Sequence, residues 1–138
     1  MAKSQYIVVV GCGRLGSILA SKLSAEGNSV VVIDLDESNF DNLGGEFSGF
    51  QIVGDATELA VLRSAKADKA DCLLAVTDSD NINIMVAQIA KKLFELPTVL
   101  ARVFDPNREA IYREFGIETI SPTQLSAEAF ANSLGVRN

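Results

Sequence analysis

The chain has 138 residues, a formal net charge of −6 and no histidine. One domain with a core of useful size fits this length, and the acidic balance argues against a nucleic-acid footprint or an anionic-membrane surface. The missing histidine removes the commonest general base and metal ligand, and Cys12 and Cys72 lack the spacing of a zinc site or a disulfide framework.

No apolar run approaches the ~20 residues a membrane helix needs. The start, Met1-Ala2-Lys3-Ser4-Gln5, leads straight into an apolar run, which leaves no room for a signal peptide. The expectation is a cytoplasmic protein.

The first element is the β-branched run Tyr6 to Val10, a strand. Gly11-x-Gly13-x-x-Gly16 follows, and Leu15, Ile18, Leu19 and Leu23 recur at helical spacing until Gly27-Asn28 stops the helix. A second strand, Val30 to Ile33, ends in Asp34. Asp36 can cap a short helix from Glu37 to Leu43, broken by Gly44-Gly45, and Phe50 to Val53 is a third strand. Gly54-Asp55-Ala56-Thr57 then opens a helical stretch marked by Leu59, Leu62 and Ala65.

The second half repeats the alternation. Cys72 to Val76 is a fully apolar central strand. After the polar turn Thr77 to Asn81, a long helix is predicted with Ile82, Met85, Val86, Ile89, Ala90 and Leu93 along one face. Thr98 to Val103 is the fifth strand. Asp105-Pro106 starts a helix to Phe115, with a capping acid and proline at its first position. Ile117 to Ile120 is a sixth strand, and Ser121-Pro122 leads into a last helix from Thr123 to Leu134. Leu125, Phe130 and Leu134 on that helix either face a second subunit or fold back on the sheet.

Strands alternating with helices imply right-handed parallel βαβ units. They predict an α/β, Rossmann-like doubly wound parallel sheet of six strands in the order 3-2-1-4-5-6, with 1–138 forming a single domain.

In such a sheet, ligands sit beyond the carboxyl ends of the strands at the point where the order reverses. Gly11 permits the sharp exit from the first strand, Gly13 lets a pyrophosphate approach the backbone, and Gly16 lets helix and strand pack closely. The helix N-terminus offers free N–H groups and positive dipole to phosphate. Arg14 is placed to reach a phosphate. Asp34, followed by Leu35, can accept from ribose hydroxyls, and an acid with no arginine beside it favours a free 2′-OH. Asp55 either contacts an adenine edge or caps the next helix. Thr77, Asp78 and Asp80 read first as helix caps; paired acids are also a possible magnesium site. Arg102, charged inside an apolar run, has three open roles: pairing with a loop acid, reaching a ligand, or sitting at an interface. Cys12 is either a packing residue or a redox-sensitive thiol near the helix N-terminus.

Catalytic machinery is not visible. The Tyr-x-x-x-Lys pair of short-chain dehydrogenases is absent, since Val10 and Gly116 stand four residues after Tyr6 and Tyr112. The expectation is a nucleotide binder that is not an enzyme.

The motifs Gly11-Cys12-Gly13-Arg14-Leu15-Gly16 with Asp34, Val53-Gly54-Asp55-Ala56-Thr57 and Ala67-Asp68-Lys69-Ala70-Asp71 occur in sequence. Ala75-Val76-Thr77 with Asp80 and Asn83, Ala101-Arg102-Val103 with Asp105-Pro106, and Ile120-Ser121-Pro122 follow. Together they resemble the N-terminal, TrkA-N-type domain of the RCK/KTN family, cytoplasmic regulators of potassium channels and of Trk- and Ktr-type uptake systems. The resemblance implies binding of an adenine nucleotide, AMP, ADP, ATP or NAD(H). By position it implies phosphate at Gly11, Gly13, Arg14 and Gly16, ribose at Asp34, and the base by Asp55 and Ala56. The full candidate set adds Cys12, Leu15, Leu35, Gly54, Thr77 and Arg102.

The resemblance further implies a regulatory subunit on the inner face of the membrane. It would act with a potassium transporter or channel subunit, as a homo-oligomer (a dimer or a ring of dimers) or with a second RCK subunit. Many members carry a second ligand-sensing lobe, which this chain is expected to lack, and Thr123 stands where many have an acid of a divalent-cation site. Two further readings remain open: an NAD-dependent oxidoreductase, and a redox or nucleotide sensor acting with another partner chain.

Overall fold

The computed structural model describes residues 3–136. Six parallel strands form one sheet in the order β3-β2-β1-β4-β5-β6, as the alternation of elements predicts. They are β1 (Tyr6–Val10), β2 (Ser29–Asp34), β3 (Phe50–Val53), β4 (Cys72–Ala75), β5 (Thr98–Arg102) and β6 (Glu118–Ile120). β1 pairs with β2 and β4, with Val8 level with both Val31 and Leu73. The ladder runs on past the strand ends: Gly11 N–H donates to Ile33 O at 2.8 Å, Val76 N–H to Val10 O at 2.9 Å, and Gly54 N–H to Asp34 O at 3.0 Å. These bonds carry the sheet's order into the loops that form the site.

Parallel sheets are buried on both faces, which is why the central strands are continuous apolar runs. Because successive side chains alternate, Val8, Val10, Val31, Ile33, Leu73 and Ala75 meet one face. They pack with Leu62 of α2 (Leu59–Ser64) and with Val86, Ala87 and Ala90. Ile7, Val9, Val30, Val32, Cys72 and Leu74 meet the other face, under α1 (Arg14–Ala25).

Two helices turn a different side to the core than apolar periodicity implies. α1 buries Gly16, Ser17, Ala20, Ser21 and Ser24, while Ile18 is 64% exposed and Leu15, Leu19 and Leu23 lie half-buried at the margin. The buried serines are satisfied locally: Ser17 donates to Arg14 O, Ser21 accepts from Gly44 N–H and Ser24 accepts from Ser48 N–H. α3 (Asp80–Gln88) begins earlier than predicted and passes into a π-helical turn, Ile89–Leu93. It buries Asn83, Val86, Ala87 and Ala90, while Ile82, Met85 and Leu93 stay on the exposed side.

Caps behave as their chemistry dictates. Asp36 accepts from Ser38 N–H and starts a 3₁₀ turn, Glu37–Asn42, rather than an α-helix. Asp105 accepts from Asn107 N–H, and a 3₁₀ turn with Pro106 first leads into α4 (Glu109–Glu114). Ser121 accepts from Gln124 N–H at the head of α5 (Pro122–Ser133). α5 does not fold back on the sheet: none of its residues is buried, and Phe130 is 74% exposed.

α1 and the turn that precedes it approach closely at Gly16. A Cβ on Gly16 would lie 1.8 Å from Gly11 O and 2.7 Å from its carbonyl carbon. Gly16→Ala therefore has to push the helix off the sheet. Urea unfolding should show a loss of about 3 kcal/mol, the upper end of ordinary overpacking costs.

Candidate functional site

The strand order reverses between β1 and β4, and the loops there enclose a cleft of about 400 Å³. Gly11, Gly13 and Arg14 line it from the glycine turn, and Asp34, Leu35 and Asn39 from the end of β2. Gly54, Asp55 and Ala56 come from the loop after β3, and Val76, Thr77, Asp78, Ile82 and Arg102 from the β4–β5 side. Cys12, Leu15 and Gly16 do not line it. Cys12 is fully buried beneath the turn, Leu15 packs on the α1 face of the sheet, and Gly16 supplies the close approach described above.

The glycine turn leaves a helix N-terminus open. Gly13 stands at the N-cap of α1 with no side-chain cap. The first intrahelical bond is Ser17 N–H to Gly13 O at 2.9 Å. The N–H groups of Arg14, Leu15 and Gly16 therefore lack helical partners and, with the dipole, form the positive end of α1. No acid lies in the first turn to neutralise it.

Asp34 faces this end from β2. Its Oδ2 accepts from Cys12 N–H at 2.7 Å, and its Oδ1 accepts from Asp36 N–H at 2.8 Å and from Asn39 Nδ2 at 3.0 Å. Asn42 Nδ2 donates to Cys12 O at 3.1 Å. A carboxylate has roughly four acceptor sites, so three bonds hold Asp34 in place and one site remains for a ligand hydroxyl. Asn39 belongs to no sequence motif; its only sequence signal is a polar residue one turn beyond the capping Asp36.

Asp55 closes its own loop rather than capping α2. Its carboxylate accepts from Thr57 N–H at 2.9 Å and Thr57 Oγ1 at 2.7 Å, bonds that hold its pKa below the ordinary value. The N-cap of α2 is Glu58. Ser79, not Thr77 or Asp78, caps α3. The Asp80 carboxylate accepts from Phe104 N–H at 2.7 Å and Asp105 N–H at 3.2 Å, tying the β4 and β5 loops together. Among the described residues, no group of three His, Cys, Asp or Glu side chains is placed to hold a metal ion.

Arg102 crosses from β5 to the end of β4. Its Nη2 donates to Val76 O and Thr77 O, both at 2.7 Å, and its guanidinium lies 4.5 Å from the Phe104 ring centroid. It takes part in neither ion pair found among the described residues. Burial pushes its pKa down, while Asp78 and Asp80 push it back up.

Comparison with known proteins follows this geometry. Residues 7–122 match the model of the TrkA-N domain. The chain belongs to the TrkA-N domain family. Its relatives include the Trk system potassium uptake protein TrkA of Streptomyces coelicolor, 37% identical over 94% of this chain and 58% of that protein. A TrkA homologue of Pyrococcus abyssi is 34% identical over 94% of this chain and 60% of its own length. This TrkA-N chain thus spans about three fifths of the length of these two relatives. Among solved structures, the TrkA-N domain of the Escherichia coli inner membrane protein ybaL superposes with a TM-score of 0.83 at 21% identity, covering 97% of this chain and 99% of that one. The AMP-bound Kef C-terminal domain of Shewanella denitrificans gives 0.80 at 23% identity, covering 94% and 80%. The NAD-bound GsuK channel gives 0.70 at 23% identity, covering 87% and 22%. These likenesses confirm the fold.

Cys12 lies under the turn with its thiol pushed up to about 11, first by burial and then by the Asp34 charge. Burial also raises the Cys72 thiol. Neither carries the lowered pKa of a reactive thiol. Both should resist a thiol reagent at pH 8 in the native protein and react promptly in denaturant. The folded Cys12 keeps its proton where the unfolded chain, near ~8.5, loses it, so folding stability should fall as pH climbs from there towards about 11.

Proposed function

We propose that the domain binds an adenine nucleotide in the β1/β4 cleft and acts as a cytoplasmic regulatory module of a membrane potassium transporter or channel. One observation carries the binding part: an uncapped helix N-terminus and a fixed carboxylate face the same cleft from adjacent strands. The first suits phosphate and the second a ribose hydroxyl. Gly11, Gly13, Arg14 and the first-turn N–H groups of α1 hold phosphate; Cys12 acts only through its backbone. Asp34 holds ribose, Leu35, Gly54, Asp55 and Ala56 surround the base, and Thr77 and Arg102 close the far side. The kinship with TrkA potassium uptake proteins and the AMP and NAD bound to two structural neighbours support this reading.

Regulation follows from linkage. A nucleotide shifts a partner only if it binds two assembly states with different affinity, and the usual coupling of 1–3 kcal/mol corresponds to about a 5–150-fold difference. Assembly comes from α5, whose Phe130 and Leu134, one turn apart, are 74% and 80% exposed. We read them as the contact with a second subunit at the inner face of the membrane.

Two measurements check the proposal. Gly13 has no atom within 4 Å of a built Cβ and does not require positive φ. Gly13→Ala should therefore change stability by less than about 1 kcal/mol, yet weaken nucleotide binding at least tenfold by calorimetry, as should Asp34→Ala. Titration with AMP, ADP, ATP, NAD and NADH identifies the ligand, and binding of none would refute the proposal. Light scattering should show a dimer or larger species that Phe130→Asp converts to monomer; a monomeric parent would remove the assembly claim.

A further inference from the structure

Asn83 is a fully buried polar side chain that does not line the cleft. The other buried residues of α3 are the apolar Val86 and Ala87. Burying an amide in such a place is costly unless its hydrogen bonds are made, and here they are. Its Oδ1 accepts from Thr77 N–H at 2.9 Å and from Thr77 Oγ1 at 2.6 Å. Its Nδ2 donates to Thr77 O at 3.1 Å and to Arg102 O at 3.0 Å. All four bonds end on two residues, and both line the cleft.

Thr77 Oγ1 also accepts from Ser79 N–H at 3.2 Å and Arg102 Nη2 also donates to Val76 O at 2.7 Å, but Asn83 bonds both residues at once. The Thr77 carbonyl that Asn83 holds is also the one that anchors Arg102 Nη2. Arg102 Nε is buried without a partner, and a donor left so at a cleft wall calls for a reason beyond packing. Thr77 also abuts the glycine turn: its N and Cα lie 2.9 and 3.0 Å from where a Gly11 Cβ would stand.

We propose that Asn83 is the positioning residue of the β4–β5 wall, fixing the Arg102 guanidinium as the reader of the ligand's anionic part. The proposal rests on the nucleotide reading of the cleft. Arg102 supplies charge to the phosphates, and Asn83 supplies its aim without touching the ligand.

The test uses the 138-residue chain with adenosine and ADP as calorimetric probes. Arg102→Ala should weaken ADP about tenfold and leave adenosine within about twofold of the parent. Asn83→Ala should do the same, and the double variant should lose no more than Arg102→Ala alone, because both changes remove one function. A residue that only supports the fold would weaken both probes alike and add to the Arg102→Ala loss, and either result overturns the proposal. If Asn83→Ala does not fold, Asn83→Asp replaces it. That variant keeps the volume and the acceptor for Thr77 but lacks the donor to the two carbonyls, and it must give the same selective loss. Both variants unfolded would make Asn83 a folding determinant and overturn the positioning role. A parent that binds neither probe overturns the nucleotide reading together with this proposal, whereas ADP binding unaffected by Asn83→Ala overturns this proposal alone.

Discussion

The turn after β1, Gly11-Cys12-Gly13, contains two glycines and has few side chains with which to hold its own shape. That shape is imposed from the neighbouring strand. Asp34 at the end of β2 takes the N–H of Cys12 and Asn42, at the end of the 3₁₀ turn that follows, takes its carbonyl, so both backbone groups at the centre of the turn are fixed by side chains. A hydrogen bond to an ionised acceptor is about twice as strong as a neutral one. Asp34 is in turn held by Asp36 N–H and by Asn39. The loop is thereby ordered before any ligand arrives, which spares a ligand the entropic cost of ordering it.

This arrangement explains why some parts of the structure were legible in the sequence and others were not. The sheet order and the strand positions follow from apolar runs, and the caps at Asp36 and Asp105 from local chemistry, because each depends on neighbours in sequence. The inward face of α1 was not legible. Leu15, Ile18, Leu19 and Leu23 carry the periodic signal, yet serines that find backbone partners from the 44–48 loop take the buried side. α3 differs for a related reason: Asn83 is buried because strand ends 6 and 19 residues away saturate it. Ile82 and Met85 remain outside. Asn39 and Ile82 carry no such signal either, since only the folded sheet brings them beside the glycine turn, whereas Asp78 lies in the turn after β4, where the strand order already places ligand contacts.

The two walls of the cleft are built on different principles. On the β2 side a charge organises backbone. On the β4–β5 side a neutral amide organises backbone, and a charge, Arg102, is displayed with a ring beneath it. Asp80 extends the second wall by taking the N–H groups of Phe104 and Asp105, and Arg108 reaches Asn81 at 3.1 Å. The turn that carries Thr77 and the end of β5 that carries Arg102 are thus joined by hydrogen bonds to the segment leading into α4.

The small residues along the inner side of α1 have an electrostatic meaning. With glycine, alanine and serine facing the sheet, the helix axis lies nearer the strands than leucines there would permit. The field of a helix end falls off within about a turn, so a displacement of one or two ångströms changes what the positive pole does in the cleft. On the nucleotide reading proposed above, side-chain volume beneath α1 sets how near that pole stands to the phosphates, and a mutation on the sheet-facing side of the helix changes affinity through distance alone.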